Sequence, residues 1–145
     1  MLRSTLLVAA SLLPSLAFAQ AAAPAAAAPP TAADAEAGQR IFAQCRACHQ
    51  VGETARNAVG PQLNGIFGRR AGSIEGFRYS QAYQAEAVRA KTWDPDNFRV
   101  YIRNPREVTP GTNMAFAGIR NEDQITQLIA FLRSYNANGT RNLAP

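Results

Sequence analysis

The sequence predicts an all-α domain whose helices and long loops wrap around one large group. Three observations predict it. Apolar residues recur at helical spacing in Phe98, Tyr101 and Ile102, and again in Ile125, Leu128, Ile129 and Leu132, while no strand-like alternation of useful length occurs. The stretches between them are long and rich in Gly and Pro, and in so small a domain such loops make sense only if they enclose something. Finally, Cys45-Arg46-Ala47-Cys48-His49 names what is enclosed, because Cys-x-x-Cys-His is a c-type haem attachment pattern.

The spacing has a chemical reason. Two thiols three positions apart on one helical turn can each form a thioether with one of the two vinyl groups on a haem edge. The histidine that follows brings its imidazole under the iron as the proximal ligand. Two other uses of Cys-x-x-Cys compete: a disulfide or thioredoxin-like redox pair, and a zinc site. Zinc normally takes four ligands, and Cys45, Cys48 and His49 are all the cysteine and histidine the chain has.

Taken in order, the chain opens Met1-Leu2-Arg3 and continues with an apolar run from Thr5 to Leu13, then Pro14, then Ala17-Phe18-Ala19 before Gln20. This reads as a secretory signal peptide over residues 1–19 with an A-x-A cleavage site. A membrane-spanning helix needs about 20 apolar residues, and this run is shorter and interrupted by Pro14. Residues 20–33 are almost only Ala and Pro, and Pro24, Pro29 and Pro30 bar a helix, so they read as a linker or disordered tail. One domain follows over residues 34–138, with residues 139–145 as a C-terminal tail.

Within the domain, the first helix starts near Thr31 or Asp34, both good N-caps, and runs through Ile41-Phe42 toward Cys45. Gly38 in its middle costs about 1 kcal/mol relative to Ala, so it marks a close crossing by another helix. From Val51 to Gly72 the Gly and Pro density predicts loop. Ser80 caps a second helix over residues 81–90. Asp94 caps a third, with Pro95 at its first position, and Asn104-Pro105 stops it. Val108 to Phe116 is a loop with a turn at Pro110-Gly111. The last helix starts at Asn121, with Gln124 placed as in a capping box, and ends before Asn138-Gly139.

The net charge is +5, nearly all of the basic side being arginine, with Lys91 the one lysine. A basic balance can mark nucleic-acid binding. No basic run interleaved with aromatics occurs, so the prediction is no nucleic acid and an acidic protein partner instead. A domain of this size has a limited apolar core, which the macrocycle completes, so the haem-free chain is expected to fold poorly.

A His-ligated haem has either a sixth ligand or an open site. No second histidine and no third cysteine is present, and Met1 leaves with the signal peptide, so Met114 is the remaining candidate. It sits in a loop rather than on a helical stripe, and its thioether is a soft ligand that favours ferrous iron.

Several motifs in order carry a resemblance over nearly all of residues 34–136. They are Gly38 with Ile41-Phe42, Cys45-x-x-Cys48-His49, Gly60-Pro61-x-Leu63-x-Gly65-Ile66-x-Gly68-Arg69, and Gly76-Phe77-x-Tyr79-Ser80. Further on are Trp93, Tyr101-x-x-x-Pro105, Pro110-Gly111-Thr112-x-Met114-x-Phe116-x-Gly118 and Leu128-Ile129-Ala130-Phe131-Leu132. The chain resembles class I cytochromes c, mitochondrial-like and soluble bacterial types. The resemblance implies that fold, with one covalent haem c held through Cys45 and Cys48. It implies that the Pro61 carbonyl accepts from the His49 ring, that Arg69, Tyr79 and Trp93 hold a propionate, and that Tyr101 and Thr112 sit beside the Met114 sulfur. Leu63 and Phe116 would shield the haem from water. The family often carries lysines around the exposed haem edge. Here Arg70, Arg106 and Arg46 are expected on that side, and Tyr83 falls near a position often filled by a small amide.

The function implied is one-electron transfer by a monomer in the periplasm, with no catalytic residues. The partners implied are a quinol-cytochrome c reductase-type donor and an oxidase or reaction-centre-type acceptor, docking at the basic haem edge. A subunit or tethered domain of a dehydrogenase or oxidase complex would use the same chemistry. A peroxidase-like enzyme is disfavoured, because His49 is used and no distal histidine remains for acid–base work.

Overall fold

In a computed structural model of the chain, the structure describes residues 31–142. The expected signal peptide and nearly all of the Ala/Pro segment lie outside the described residues. The order of elements is α1 (Ala32–Phe42), α2 (Gln81–Gln84), α3 (Glu86–Arg89), α4 (Pro95–Arg103), α5 (Pro105–Val108) and α6 (Glu122–Arg133). Among the described residues the only strand-like pairings are two isolated bridges, Arg70 with Thr92 and Tyr135 with Arg141. None of the described helices is long and apolar enough to cross a membrane.

The first and last helices form the frame. Thr31 caps α1 reciprocally with Asp34: the Asp34 N–H donates to Thr31 Oγ1 at 3.2 Å, and the Thr31 N–H donates to Asp34 Oδ2 at 2.8 Å. Those hydrogen bonds hold the Asp34 carboxyl below its ordinary pKa, the Thr31 backbone contributing more than its hydroxyl. Asn121 caps α6 by accepting from the Gln124 N–H at 3.0 Å. The two helices cross at Gly38, where a Cβ would overlap the Gln127 carbonyl and lie 2.7 Å from Phe131 Cβ. Beside the crossing, the Phe42 and Phe131 rings meet at 5.1 Å. Ile125, Leu128, Phe131 and Leu132 of α6 are almost fully buried in the core.

α4 follows its sequence signals closely. Asp94 accepts from the N–H groups of Asp96 and Asn97, and Asn97 answers on the Asp94 N–H. Its apolar stripe, Phe98, Tyr101 and Ile102, is buried. Arg99 and Arg103 both reach Glu122, at 3.0 and 2.7 Å, tying α4 to the start of α6. Those pairs are half-exposed, so each is worth little alone.

The structure defines the element boundaries more closely. The second helix is not continuous over residues 81–90: Ala85 is extended, with φ −57° and ψ 137°, and splits it into α2 and α3. Isolated helices this short are unstable in water, so tertiary contacts decide their breaks. The loop after Asn104 begins with a helical turn, α5, because Asn104 accepts from the Glu107 N–H and Pro105 suits a first helical position. Of the two expected N-caps of the first helix, Thr31 is the one used: α1 begins at Ala32, so residues 31–33 are continuous with the helix. Finally, residues 139–142 of the C-terminal segment pack back on the domain. The Asn136 N–H donates to the Thr140 carbonyl at 2.9 Å, and the Arg141 guanidinium lies 5.5 Å from the centre of the Phe131 ring. α6 therefore stops at Arg133, and the chain doubles back over its end.

The crossing at Gly38 gives a sign-determining test. Gly38→Ala gains about 1 kcal/mol in helix propensity, but overpacking the crossing costs roughly 1–3 kcal/mol. Denaturant unfolding of the haem-loaded protein should show a net loss of stability, larger for Gly38→Val. A gain for Gly38→Ala would mean that the two helices separate readily.

Candidate functional site

After α1 the chain turns tightly. The Cys45 N–H donates to the Phe42 carbonyl at 2.8 Å, and the Cys48 and His49 N–H groups both donate to the Cys45 carbonyl, at 3.0 and 2.9 Å. That turn brings Cys45, Cys48 and His49 to the wall of one cavity of about 290 Å³. Burial pushes the Cys45 thiol up to about 11, and the neighbouring Cys48 adds to the shift. A redox dithiol needs a thiol that ionises easily, so this pair is poorly suited to thioredoxin-like exchange. Among the described residues no three His, Cys, Asp or Glu side chains converge, which leaves zinc without a ligand set.

His49 is held from behind. Its Nδ1 donates to the Pro61 carbonyl at 2.7 Å. Burial lowers its pKa most, the Arg69 charge adds to that, and the Pro61 carbonyl works the other way. The imidazole is therefore neutral, with its proton on Nδ1 and the Nε2 lone pair free for a metal. Gly60 lies against the ring, where a Cβ would come within 2.7 Å of Nδ1 and 2.8 Å of Nε2. Only glycine leaves the imidazole its place.

Met114 reaches the same cavity from the loop after Pro110-Gly111. Its N–H donates to Thr112 Oγ1 at 3.2 Å, and the Tyr101 hydroxyl donates to its sulfur at 3.3 Å. The thioether is thus fixed by its backbone and by one lone pair, while the other remains available to a soft metal. Thr112 and Tyr101 line the cavity as well.

Arg69, Tyr79 and Trp93 form a polar part of the lining. Arg69 donates to two carbonyls, Asn64 O at 2.8 Å and Gln62 O at 3.1 Å. No carboxylate among the described residues pairs with it. Burial pushes its pKa down, and the guanidinium stays charged all the same. A half-buried cation with only carbonyl partners has room for an anion, and a haem propionate is one. Tyr79 accepts from the Ile74 N–H at 3.3 Å, and Trp93 packs against Tyr101 at 5.0 Å. Leu63 and Phe116 are partly buried against the apolar core and complete a water-excluding wall.

All twelve residues singled out in the sequence line this one cavity. Of the three arginines expected beside it, only Arg70 does so. Arg46 points to solvent from the turn between the cysteines, and Arg106 is exposed on α5, away from the lining. Arg78 takes the place beside Arg70. Tyr83 was legible only as a departure from a pattern. It lines the cavity, stacks on Tyr79 at 5.6 Å and meets Tyr101 edge-on at 6.3 Å. Its four-residue spacing from Tyr79 was the available signal.

The family model for cytochrome c matches residues 35–136, which hold the whole of this cavity. The chain belongs to the cytochrome c family. It is 47% identical over 118 residues to cytochrome c2 of Blastochloris viridis, covering 81% of this chain and 91% of that one. It is 42% identical over 106 residues to cytochrome c-550 of Nitrobacter winogradskyi, covering 73% of this chain and 94% of that one. Among solved structures, cytochrome cH from Methylobacterium extorquens superposes with a TM-score of 0.62 at 36% identity, over 69% of this chain and 97% of that one. The fold is the all-α class I cytochrome c fold, the cofactor is covalent haem c, and the protein is an electron carrier rather than an enzyme. The site fits that group: a thiol pair, a neutral imidazole and an oriented thioether share one apolar cavity with an unpaired cation.

A cavity of this size between the helical core and the loops makes folding depend on its occupant. Haem-free chain should show low helicity by circular dichroism and no cooperative thermal transition. Cys45→Ser and Cys48→Ser should each lower the yield of haem-bearing protein, measured by mass.

Proposed function

We propose that this cytochrome c shuttles single electrons with His49 and Met114 as its two axial ligands. The observation that carries the proposal is the Tyr101 hydroxyl held 3.3 Å from the Met114 sulfur, which orients a thioether in the cavity that His49 also enters. Bound there, the haem supplies a one-electron iron couple. The residues do the rest. Pro61 fixes the plane of the His49 ring, Thr112 and Tyr101 restrict the Met114 side chain, and Leu63 and Phe116 keep water away. Arg69, with Tyr79 and Trp93 beside it, offers its charge to a propionate that would otherwise be buried unpaired. With two protein ligands committed, no position is left for a substrate.

Export is part of the same reading. The N-terminal signal pattern supports export to the periplasm, where the protein acts as a monomer on this reading. Its partners are a quinol-cytochrome c reductase-type donor and an oxidase or reaction-centre-type acceptor. Arg70 and Arg78, exposed at the mouth of the cavity, offer positive charge to an acidic docking surface.

Substituting Met114 decides the ligand assignment. Met114→Ala should lower the reduction potential, speed cyanide binding and bring out weak peroxidase activity. Met114→His should keep a low-spin six-coordinate spectrum at a lower potential. An unchanged spectrum and potential in Met114→Ala would give the sixth position to another group. Arg70→Glu should slow electron transfer with an acidic partner, most at low ionic strength. A stopped-flow salt series checks this, and an unchanged salt slope would remove Arg70 from the docking face.

A further inference from the structure

Asn64 is buried, at 7% exposure, and stays out of the cavity lining. Its side chain is nevertheless fully engaged. Oδ1 accepts from the Gly52 N–H at 2.8 Å, and Nδ2 donates to the Gly52 carbonyl at 2.9 Å. One amide thus satisfies both backbone groups of a residue twelve positions earlier. Its own carbonyl accepts from Arg69.

These bonds are the end of a ladder. The Gly60 N–H donates to the Cys48 carbonyl at 2.9 Å, His49 Nδ1 to the Pro61 carbonyl at 2.7 Å, and the Leu63 N–H to the Gln50 carbonyl at 2.9 Å. The Asn64 amide and Gly52 make the next rung. Together they close residues 48–64 into a ring of chain, and the bond to His49 is one rung among them. The ring is braced from outside. A Cβ on buried Gly139 would overlap the Gly52 backbone, and the Gly65 N–H donates to the Tyr135 carbonyl at 3.1 Å. Gly52 cannot retreat from Asn64 without displacing the C-terminal return.

We propose that Asn64 is a positioning residue for the His49 imidazole. Its amide closes the ladder and so keeps the Pro61 carbonyl on Nδ1, although it touches neither the ring nor the cavity. The same residue presents to Arg69 one of the two carbonyls that hold the guanidinium, so the two polar anchors of the cavity share a support. The proposal rests on His49 ligating iron, which the optical spectrum of the unmodified protein tests separately.

The test uses the haem-loaded full chain and reads solvent exchange of the His49 Nδ1–H and the Gly52 N–H by NMR. Asn64→Leu removes both bonds to Gly52 and preserves an occupied site. Both protons should then exchange about tenfold faster or more, the scale of a lost hydrogen bond. Asn64→Asp keeps an acceptor for the Gly52 N–H but turns a carboxylate oxygen toward its carbonyl, so it should fall between wild type and Leu for both protons. Two results overturn the proposal. In one, the His49 proton exchanges at the wild-type rate while Gly52 speeds up. In the other, both accelerate only by the factor seen for the core amides of Leu128 and Ile129, which marks general destabilisation. If the Leu variant does not mature, the Asp variant decides by the same two outcomes.

Discussion

The structure depends on one constraint: a domain of this size has a cavity where its core should be. α1, α4 and α6 supply apolar faces that meet beside the cavity rather than across it. Phe42, Ile102, Leu128 and Leu132 belong to the core and border the cavity at once. In the loop from Gly60 through Tyr83, Ile66 and Phe67 join that core, whereas Pro61, Phe77, Tyr79 and Tyr83 face the cavity. The helices can pack on each other, but the loops need the occupant. This is why the attachment turn follows directly on α1. The covalent anchor is fixed to the rigid part of the fold, and the less regular part closes over it.

Within the cavity, three polar groups are each committed in one direction. His49 gives its proton to Pro61, Tyr101 gives its hydroxyl proton to Met114, and Arg69 gives its protons to carbonyls. Each arrangement turns one group toward the haem site: a nitrogen lone pair, a sulfur lone pair and a positive charge. In an apolar surrounding those groups are worth more than in water, because unpaired polar groups there have no solvent to turn to. The specificity of the site on the proposed reading therefore lies in the three groups acting together, which suit a soft metal and an anion carried in one rigid frame.

The sequence was most informative where a side chain has only one physical reason to be present. The spacing of Cys45, Cys48 and His49 singled them out, elimination singled out Met114, and all four line the same cavity. Gly38 was legible as a crossing point because a mid-helix glycine is costly without one, and Gln127 is what it meets. The rest was hidden for identifiable reasons. The break at Ala85 carries no local signal, since neither glycine nor proline stands there. Arg70 and Arg106 are alike in sequence, and only the course of the chain after Gly68 and Asn104 separates them. Asn64 lies in a stretch whose composition says loop, and nothing in composition tells a loop braced by side-chain hydrogen bonds from a slack one. The return of residues 139–142 depends on Gly139 fitting against Gly52, a contact between distant segments that no local pattern records.

The crossing of α1 and α6 has a consequence for timing. The first and last helices are each other's main packing partners, with nearly the whole domain threaded between them. A chain made from its N-terminus onward holds α1 without its mate until the final residues are delivered, and contacts between such distant segments form late. During that interval the Cys45-x-x-Cys48-His49 turn is joined to a helix that has no tertiary support. The segment that takes up the cofactor thus lies near the start of the domain and waits for α6, near its end, to be enclosed. The architecture holds a window open in which a bulky rigid ring can be inserted before the frame shuts.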